Sequence, residues 1–323
     1  MRFFFLAAII TSFSLFPFPA FAQARDVREQ VSQELQTRAA DLQRFPSWLL
    51  VEKGRELRTQ GRISDAFTYF FAAQDKMPQD PGIDFEIAKA YLQAGDMPMV
   101  HLYLDRAIEK RMHFSHPQLL YDVYYFRSDL AWLQEEFMRY ELELLQIIRA
   151  DQRFMSQEEF DRNLRRSYLT SVLDRGLNRS LVLYRIPDSF SLEAHRRLGV
   201  FYVQSGRFQE ALPHLIFSTI MSFTRVIEEY RKLVLDFEFS TIADFMERLH
   251  TQEGLRDYLY SVQVYQGLYY LAEGIYGYDR TRVESSREIW RFLSQRPDAG
   301  PYQSASISQL ANPQTYLQLR DRL

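Results

Sequence analysis

Two stretches of the chain repeat each other with a period of 34 residues. The matched positions of the first stretch are Gly54, Leu57, Gly61, Phe70 and Ala73, and those of the second are Ala88, Tyr91, Gly95, Leu104 and Ala107. A fixed period of this length is typical of repeat proteins, in which stacked helical units bury their apolar faces against one another. The period therefore predicts an all-α fold built from helix pairs.

The spacing within the first stretch resembles the tetratricopeptide repeat. The residues that carry the resemblance are Gly54, Leu57, Gly61, Ala66, Phe70, Ala73 and Pro78. Small side chains at 54, 66 and 73 allow two helices to approach closely, and Gly61 suits a tight turn between them. The second stretch departs from the first at Val100 and Met112. The pattern returns later in the chain, at Leu198, Gly199, Tyr202, Gly206, Phe208, Ala211 and Leu215.

The resemblance implies an all-α solenoid of antiparallel helix pairs, with some repeats degenerate and a helical C-terminal region. The predicted organisation is a signal peptide over 1–22, an N-terminal capping helix over 23–46, two clear repeats and one degenerate repeat over 47–150, a helical connector over 151–190, a further repeat with long C-terminal helices over 191–297, and a tail over 298–323.

Several local features are predicted within this organisation. Asp129 replaces the turn glycine of the degenerate repeat, and Ser156 with Glu159 opens a helix as a capping box. The tail ends in a short helix from Pro313. Near the C-terminus, helix A of a repeat is predicted from Gly267, Tyr270 and Gly274, and helix B from Ser286, Trp290 and Leu293.

The first residues are typical of a secretory signal peptide. Arg2 precedes the apolar run 3–16, Pro17 and Pro19 break it, and Ala20-Phe21-Ala22 forms a small-x-small cleavage site. The run is short for a membrane span, although an uncleaved anchor is the alternative. Since no later stretch is long and apolar enough to span a bilayer, we expect an exported, most simply periplasmic, protein with cleavage after Ala22.

Composition excludes several classes of function. The formal net charge is −3, so the chain lacks the broad basic footprint of nucleic-acid binders, and no nucleic-acid partner is predicted. The chain has no cysteine, which excludes a disulfide framework, a thiolate metal site and a cysteine nucleophile.

The family resemblance also implies a binding surface, because helix A of each repeat lines the concave face in such proteins. The peptide-binding residues implied in this chain are Trp48, Arg55, Arg58, Phe85, Lys89 and Arg196. The cationic members would suit an acidic or C-terminal peptide segment, since Arg binds carboxylates in a bidentate manner. The family's carboxylate-clamp subset also uses an Asn that is not found here. The alternative is a solvated helix face with ion pairs such as Glu52 with Arg55.

Two further groups of residues have both a functional and a structural interpretation. Four tyrosines on one helical face could form an aromatic platform for a ligand or could pack between helices: Tyr258, Tyr265, Tyr269 and Tyr276. His113 and His116 could share a metal, but no third ligand is evident, and no metal site is predicted. Clustered carboxylates such as Glu135-Glu136 are predicted to be solvated.

These features predict a non-enzymatic, cofactor-free scaffold that binds a partner protein or peptide, in cell-envelope assembly or transport. The first alternative is a periplasmic accessory protein that binds a small molecule or lipid, in a pocket bordered by Tyr265, Tyr269 and the 156–176 helix. The second alternative is an enzyme on a helical scaffold, which would need converging titratable groups. Self-association through apolar patches is also open.

Overall fold

The structure is a computed structural model that describes residues 42, 44–151, 167, 169–183, 185–186, 189–234, 238–315 and 319. Regular secondary structure within these residues is entirely helical, with no strand. The all-α prediction is therefore confirmed for the described chain. The chain divides into two compact units, Met1–Arg127 and Ser128–Leu323. The predicted signal peptide and most of the predicted capping helix lie outside the described residues, as does the Ser156–Glu159 capping box.

The first unit consists of adjacent helix pairs. Its helices are α1 (Ser47–Thr59), α2 (Ile63–Lys76), α3 (Pro81–Ala94), α4 (Met97–Glu109) and the start of α5 (Pro117–Leu133), which ends in the second unit. Helix α1 packs on α2, α3 packs on α4, and α3 also contacts α1 and α2. These helices match the two clear repeats read from the sequence.

Glycines explain why the first repeat has its spacing. Gly61 ends the first helix with φ = 77° and Gly95 occupies the matching turn with φ = 78°, a region that glycine adopts without strain. At Gly54, a Cβ atom would lie 2.5 Å from Cε1 of Phe70, so only hydrogen fits between α1 and α2. The period thus reflects two backbone requirements, a left-handed turn and a close helix approach.

The turn requirement gives a prediction. Gly61→Val is expected to lower the free energy of unfolding by about 2 kcal/mol, because a β-branched residue is strained at positive φ. Gly61→Asn is the control, since asparagine tolerates this conformation. No atom lies within 4 Å of the added Cβ, so the loss would come from the backbone alone. Urea unfolding of both variants measures it, and equal stability of all three proteins would contradict the role of the turn.

The second unit contains the remaining helices. They are α6 (Phe137–Ala150), a helical stretch over 169–175, α7 (Leu177–Leu183), α8 (Leu192–Gln204), α9 (Phe208–Leu233), α10 (Ile242–His250), α11 (Glu253–Ser261), α12 (Val264–Tyr278), α13 (Val283–Ser294) and α14 (Pro301–Ala311). Helices α8 and α9 form the pair expected from the pattern around Gly206, and α12 packs on both α9 and α13. Ser286, Trp290 and Leu293 are buried, as helix B positions should be.

The prediction that Asp129 occupies the turn of the degenerate repeat was wrong. Helix α5 continues to Leu133, and Glu135 instead adopts the left-handed conformation, with φ = 56°. The amide of Glu136 donates to the carbonyl of Ala131 at 2.9 Å, the bond that closes a helix C-terminus around a left-handed residue. A longer first helix shifts the turn along the chain, and no glycine marks it.

The predicted short helix does not begin at Pro313, and residues 316–318 and 320–323, where it would continue, lie outside the described residues. The tail helix α14 ends at Ala311, and residues 313–315 are not helical. Helix α14 starts instead at Pro301, whose fixed φ and missing N–H suit a first helical position. Its buried residues include Ser306 and Gln309, so polar side chains form part of its inner face. Apolar periodicity therefore could not reveal this helix.

Among the described residues, no helix combines the length and apolar character that a bilayer crossing requires.

Candidate functional site: a cationic cluster on α1 and α3

Helices α1 and α3 place three of the predicted site residues around one carboxylate. Arg55 and Arg58 lie one turn apart on α1, and Lys89 occupies on α3 the repeat position that Arg55 occupies on α1. Because the two helices contact each other, residues at matching positions become neighbours. All three cationic side chains reach Glu86, which lies one turn before Lys89 on α3. We call Arg55, Arg58, Glu86 and Lys89 the Glu86 cluster.

Both carboxylate oxygens of Glu86 are engaged by cations. Oε1 lies 2.9 Å from Lys89 Nζ and 3.2 Å from Arg55 Nε, and Oε2 lies 3.3 Å from Arg58 Nη2. Arg55 also pairs with the exposed Glu52 at 2.5 Å through Nη1. The intrahelical pair anticipated as an ordinary surface feature is therefore present, and it coexists with contacts between the two helices.

The cluster is layered by burial. The exposed fraction of the side chain is 6% for Glu86, 18% for Arg58, 26% for Lys89 and 42% for Arg55. Burial by itself would raise the pKa of Glu86, but the nearby Lys89, Arg55 and Arg58 outweigh it and hold the pKa below its usual value. Glu86 is thus an ionised acid beneath a layer of cations. Burial lowers the pKa of Lys89, which Glu86 partly offsets.

Two polar atoms on the same helices are buried and have no hydrogen-bond partner among the described residues. They are Nε of Arg58 and Oε1 of Gln93. Gln93 follows Lys89 by one turn of α3. Because both atoms are buried, a peptide laid along this face does not reach them in this structure.

Trp48 and Phe85 differ in exposure. Trp48, at the start of α1, is 65% exposed and so is available as an apolar contact. Phe85 is buried, packs edge-on against Phe126 with ring centroids 5.5 Å apart, and supports Lys89, whose Nζ lies 3.8 Å from the Phe85 ring centroid. Phe85 therefore contacts the cluster from beneath, as a platform for Lys89.

Arg196 lies in the second unit, on α8, and is buried. It binds Glu193 in a bidentate manner, with Nε at 2.9 Å and a second contact through Nη2. Glu193 also accepts from Arg197 Nε at 2.7 Å. Burial would raise the pKa of Glu193, but Arg196 and Arg197 lower it to about 2. The charge of Arg196 is thus balanced within its own helix.

The predicted tyrosine face lies mainly among packed helices. Tyr265 and Tyr269 are buried, Tyr265 donates a hydrogen bond to Asp298, and the ring centroid of Tyr269 lies 5.6 Å from that of Tyr302. Tyr276 donates to the carbonyl of Pro313 at 3.1 Å. These contacts are typical of inter-helix packing. Residues 152–166 lie outside the described chain, so the predicted pocket against the 156–176 helix stays a prediction.

Within the described residues, no group of three or more acidic or histidine side chains is arranged to hold a metal ion. His113 and His116 flank the end of a short 3-10 turn, Arg111–His113, and both are exposed.

Glu86 was missed by sequence reasoning although it is the centre of the cluster. The only acid that the sequence analysis paired with these cations was Glu52, in the alternative interpretation of a solvated helix face. The available signal was its position three residues before Lys89, which on a helix places an acid beside a base. Comparison with known proteins adds no identification, because neither any family model nor any curated protein matches this chain.

Proposed function

We propose that the protein is an exported, non-enzymatic adapter of tetratricopeptide type that binds an acidic segment of a partner protein along α1 and α3. The observation that carries the proposal is the Glu86 cluster, in which three cations converge on a single carboxylate. Three positive charges and the one negative charge of Glu86 give the cluster a net charge of +2. Even with the exposed Glu52 included, the site remains net positive, although the whole chain is net negative.

The neighbouring Trp48 supports a peptide rather than an isolated anion as ligand. Trp48 precedes Arg55 by seven residues, which is two helical turns, so both lie on the same side of α1 about 10 Å apart along its axis. An extended peptide covers about that distance in three residues. The preferred segment would therefore carry an apolar side chain and an acidic side chain three positions apart.

Paired charge reversal tests this proposal. Arg55→Glu with Lys89→Glu is expected to weaken binding of a fluorescein-labelled peptide of that pattern by at least about tenfold, because like charges then face its carboxylates. The matched control is Lys53→Glu with Arg62→Glu, which makes the same charge change at two exposed residues that pair with other acids. Fluorescence anisotropy at low salt measures both variants.

The outcomes of this titration separate the candidate functions. Weakening by the cluster variant alone supports an adapter that uses α1 and α3. Equal weakening by both variants would mean that only net charge matters, and no binding by the wild-type protein would contradict the proposed peptide site.

Export is the second part of the proposal, and it rests on the N-terminal sequence. Expression of the full chain in a bacterium with a Sec pathway is expected to yield a periplasmic protein whose mature form starts at Gln23. Cell fractionation and intact-mass measurement check both points. Retention of the first 22 residues on a membrane-bound product would instead support the uncleaved anchor.

A further inference from the structure

We infer that Glu86 is a built-in counter-charge that limits how tightly the cluster binds a carboxylate, so that its removal strengthens binding. This inference rests on the proposed function, since it concerns the affinity of the same site. Glu86 is itself an acid, so the cations alone would not indicate that it affects the binding of a carboxylate.

The burial order of the cluster sets the direction from which a ligand arrives. Glu86 is almost fully buried, whereas Arg55 is about half exposed and Lys89 about one quarter exposed. An incoming carboxylate must therefore approach from the solvent side of the cations and cannot reach the position of Glu86 itself. The cations would then lie between two negative groups, one resident and one brought by the partner.

Arg55 and Lys89 provide the donors that a second carboxylate can reach. The side chain of Arg55 is 42% exposed and that of Lys89 is 26% exposed. Nε of Arg58 is buried and has no partner among the residues described, so it is not accessible to a ligand on this face. Arg58 therefore adds positive charge from the buried side of the cluster, while Arg55 and Lys89 make the direct contacts.

Charge determines whether removing Glu86 strengthens or weakens binding of the ligand carboxylate. Glu86 and a carboxylate held on the outer side of the same cations would lie within several ångströms of each other, and they repel. Glu86→Gln removes that repulsion and keeps the shape of the side chain. We expect about tenfold tighter binding, the order of change for removing one like charge at this range in a partly exposed site.

The test uses the full chain and the same fluorescein-labelled peptide, which carries an apolar side chain and an acidic side chain three positions apart. Its Kd for the wild-type protein, Glu86→Gln and Glu56→Gln is measured by fluorescence anisotropy. Glu56 is the control because it is an acid of α1, one of the two helices of the site, and pairs with Lys53 outside the cluster. We expect tightening with Glu86→Gln and little change with Glu56→Gln.

A purely structural role for Glu86 predicts the opposite result. If Glu86 served only to hold the cations in place, Glu86→Gln would loosen the cluster and weaken binding. Weaker or unchanged binding by a folded Glu86→Gln protein, with the wild type still binding, overturns the inference and leaves the adapter proposal standing. A wild-type protein that does not bind the peptide contradicts the adapter proposal itself.

A second pair of variants applies where Glu86→Gln alone does not fold. Lys89→Met keeps contact with the Phe85 ring but removes one positive charge, so it should weaken binding. Combining it with Glu86→Gln restores the net charge of the cluster, and the double variant should bind about tenfold more tightly than Lys89→Met. Binding no tighter than that of Lys89→Met would overturn the inference.

Discussion

Replacing Gly199 with valine is expected to lower the free energy of unfolding by about 3 kcal/mol, the upper part of the usual range for overpacked cores. Gly199 lies on α8 where that helix meets α9. A Cβ atom there would lie 2.5 Å from Cγ of Leu215 and 3.2 Å from its backbone nitrogen. Because Leu215 is fully buried, neither its side chain nor its backbone can move aside without disturbing the helix pair.

Thermal unfolding of the full chain checks this prediction, with an expected fall in Tm of about 6–12 °C for a unit of this size. The control is Gly254→Val on α11, where nothing lies within 4 Å of the added Cβ. Valine has the better helix propensity by a few tenths of a kcal/mol, so the control should be neutral or slightly stabilising. A small effect at Gly199 would mean that α8 and α9 do not approach as closely as the structure shows.

Replacing Glu273 with glutamine is expected to stabilise the protein by about 3 kcal/mol at pH 8 and to have little effect near pH 4. Glu273 is 2% exposed on α12 and contacts Gln309 of α14 and Tyr269. Burial raises its pKa from 4.5 to about 7, and the hydrogen bonds from Tyr269 and Gln309 only partly oppose this. Glutamine keeps the shape and the acceptor oxygen but needs no charge.

The direction of the pH dependence follows from proton binding to Glu273 in the folded and unfolded states. Between pH 4.5 and about 7 the folded protein holds the proton on Glu273 while the unfolded chain has lost it. Stability therefore falls as pH rises through this window, and the loss is complete above the folded pKa. A pKa difference of this size corresponds to about 3 kcal/mol. Glu273→Gln removes this contribution, so its advantage over the wild type should grow across the window.

Urea unfolding of both proteins at several pH values between 4 and 8 measures the difference. Glu284→Gln is the control, because this acid of α13 is well exposed and pairs with Arg287 on the surface. Its stability difference from the wild type should stay within about 0.5 kcal/mol, because exposed ion pairs contribute little. A stability difference for Glu273→Gln that stays constant across these pH values would show that folding does not shift the pKa of Glu273.

The fold was predictable where burial follows a helical period. The helices around Gly54 and Gly199 were recognised because a small residue in each faces a large one across the pair, Phe70 in one case and Leu215 in the other. Helix α14 was not predicted, because its inner face buries polar groups such as Gln309. The turn at Glu135 was not predicted because a residue other than glycine adopts positive φ there, in a turn closed by the hydrogen bond from the Glu136 amide to the Ala131 carbonyl.

The candidate site was predictable in part for the same reason. Arg55 and Lys89 occupy equivalent positions in successive stretches of the 34-residue period, and the resemblance to the tetratricopeptide repeat implied that both lie on one surface. Their counter-ion could not be assigned, because several acids lie within reach along the chain. In the structure, the buried Glu86 of α3 is the counter-ion that these cations share, while Glu52 remains an exposed partner of Arg55.

The sequence by itself determined the helical class, the close contacts within helix pairs and the meeting of cations on α1 and α3. All three depend on residue spacing, which the geometry of the α-helix converts directly into position. Only the tertiary structure decided which acid those cations share, where the degenerate repeat turns and which polar residues enter the core. These depend on burial and on hydrogen bonds between segments far apart in the chain, and a one-dimensional pattern does not record them.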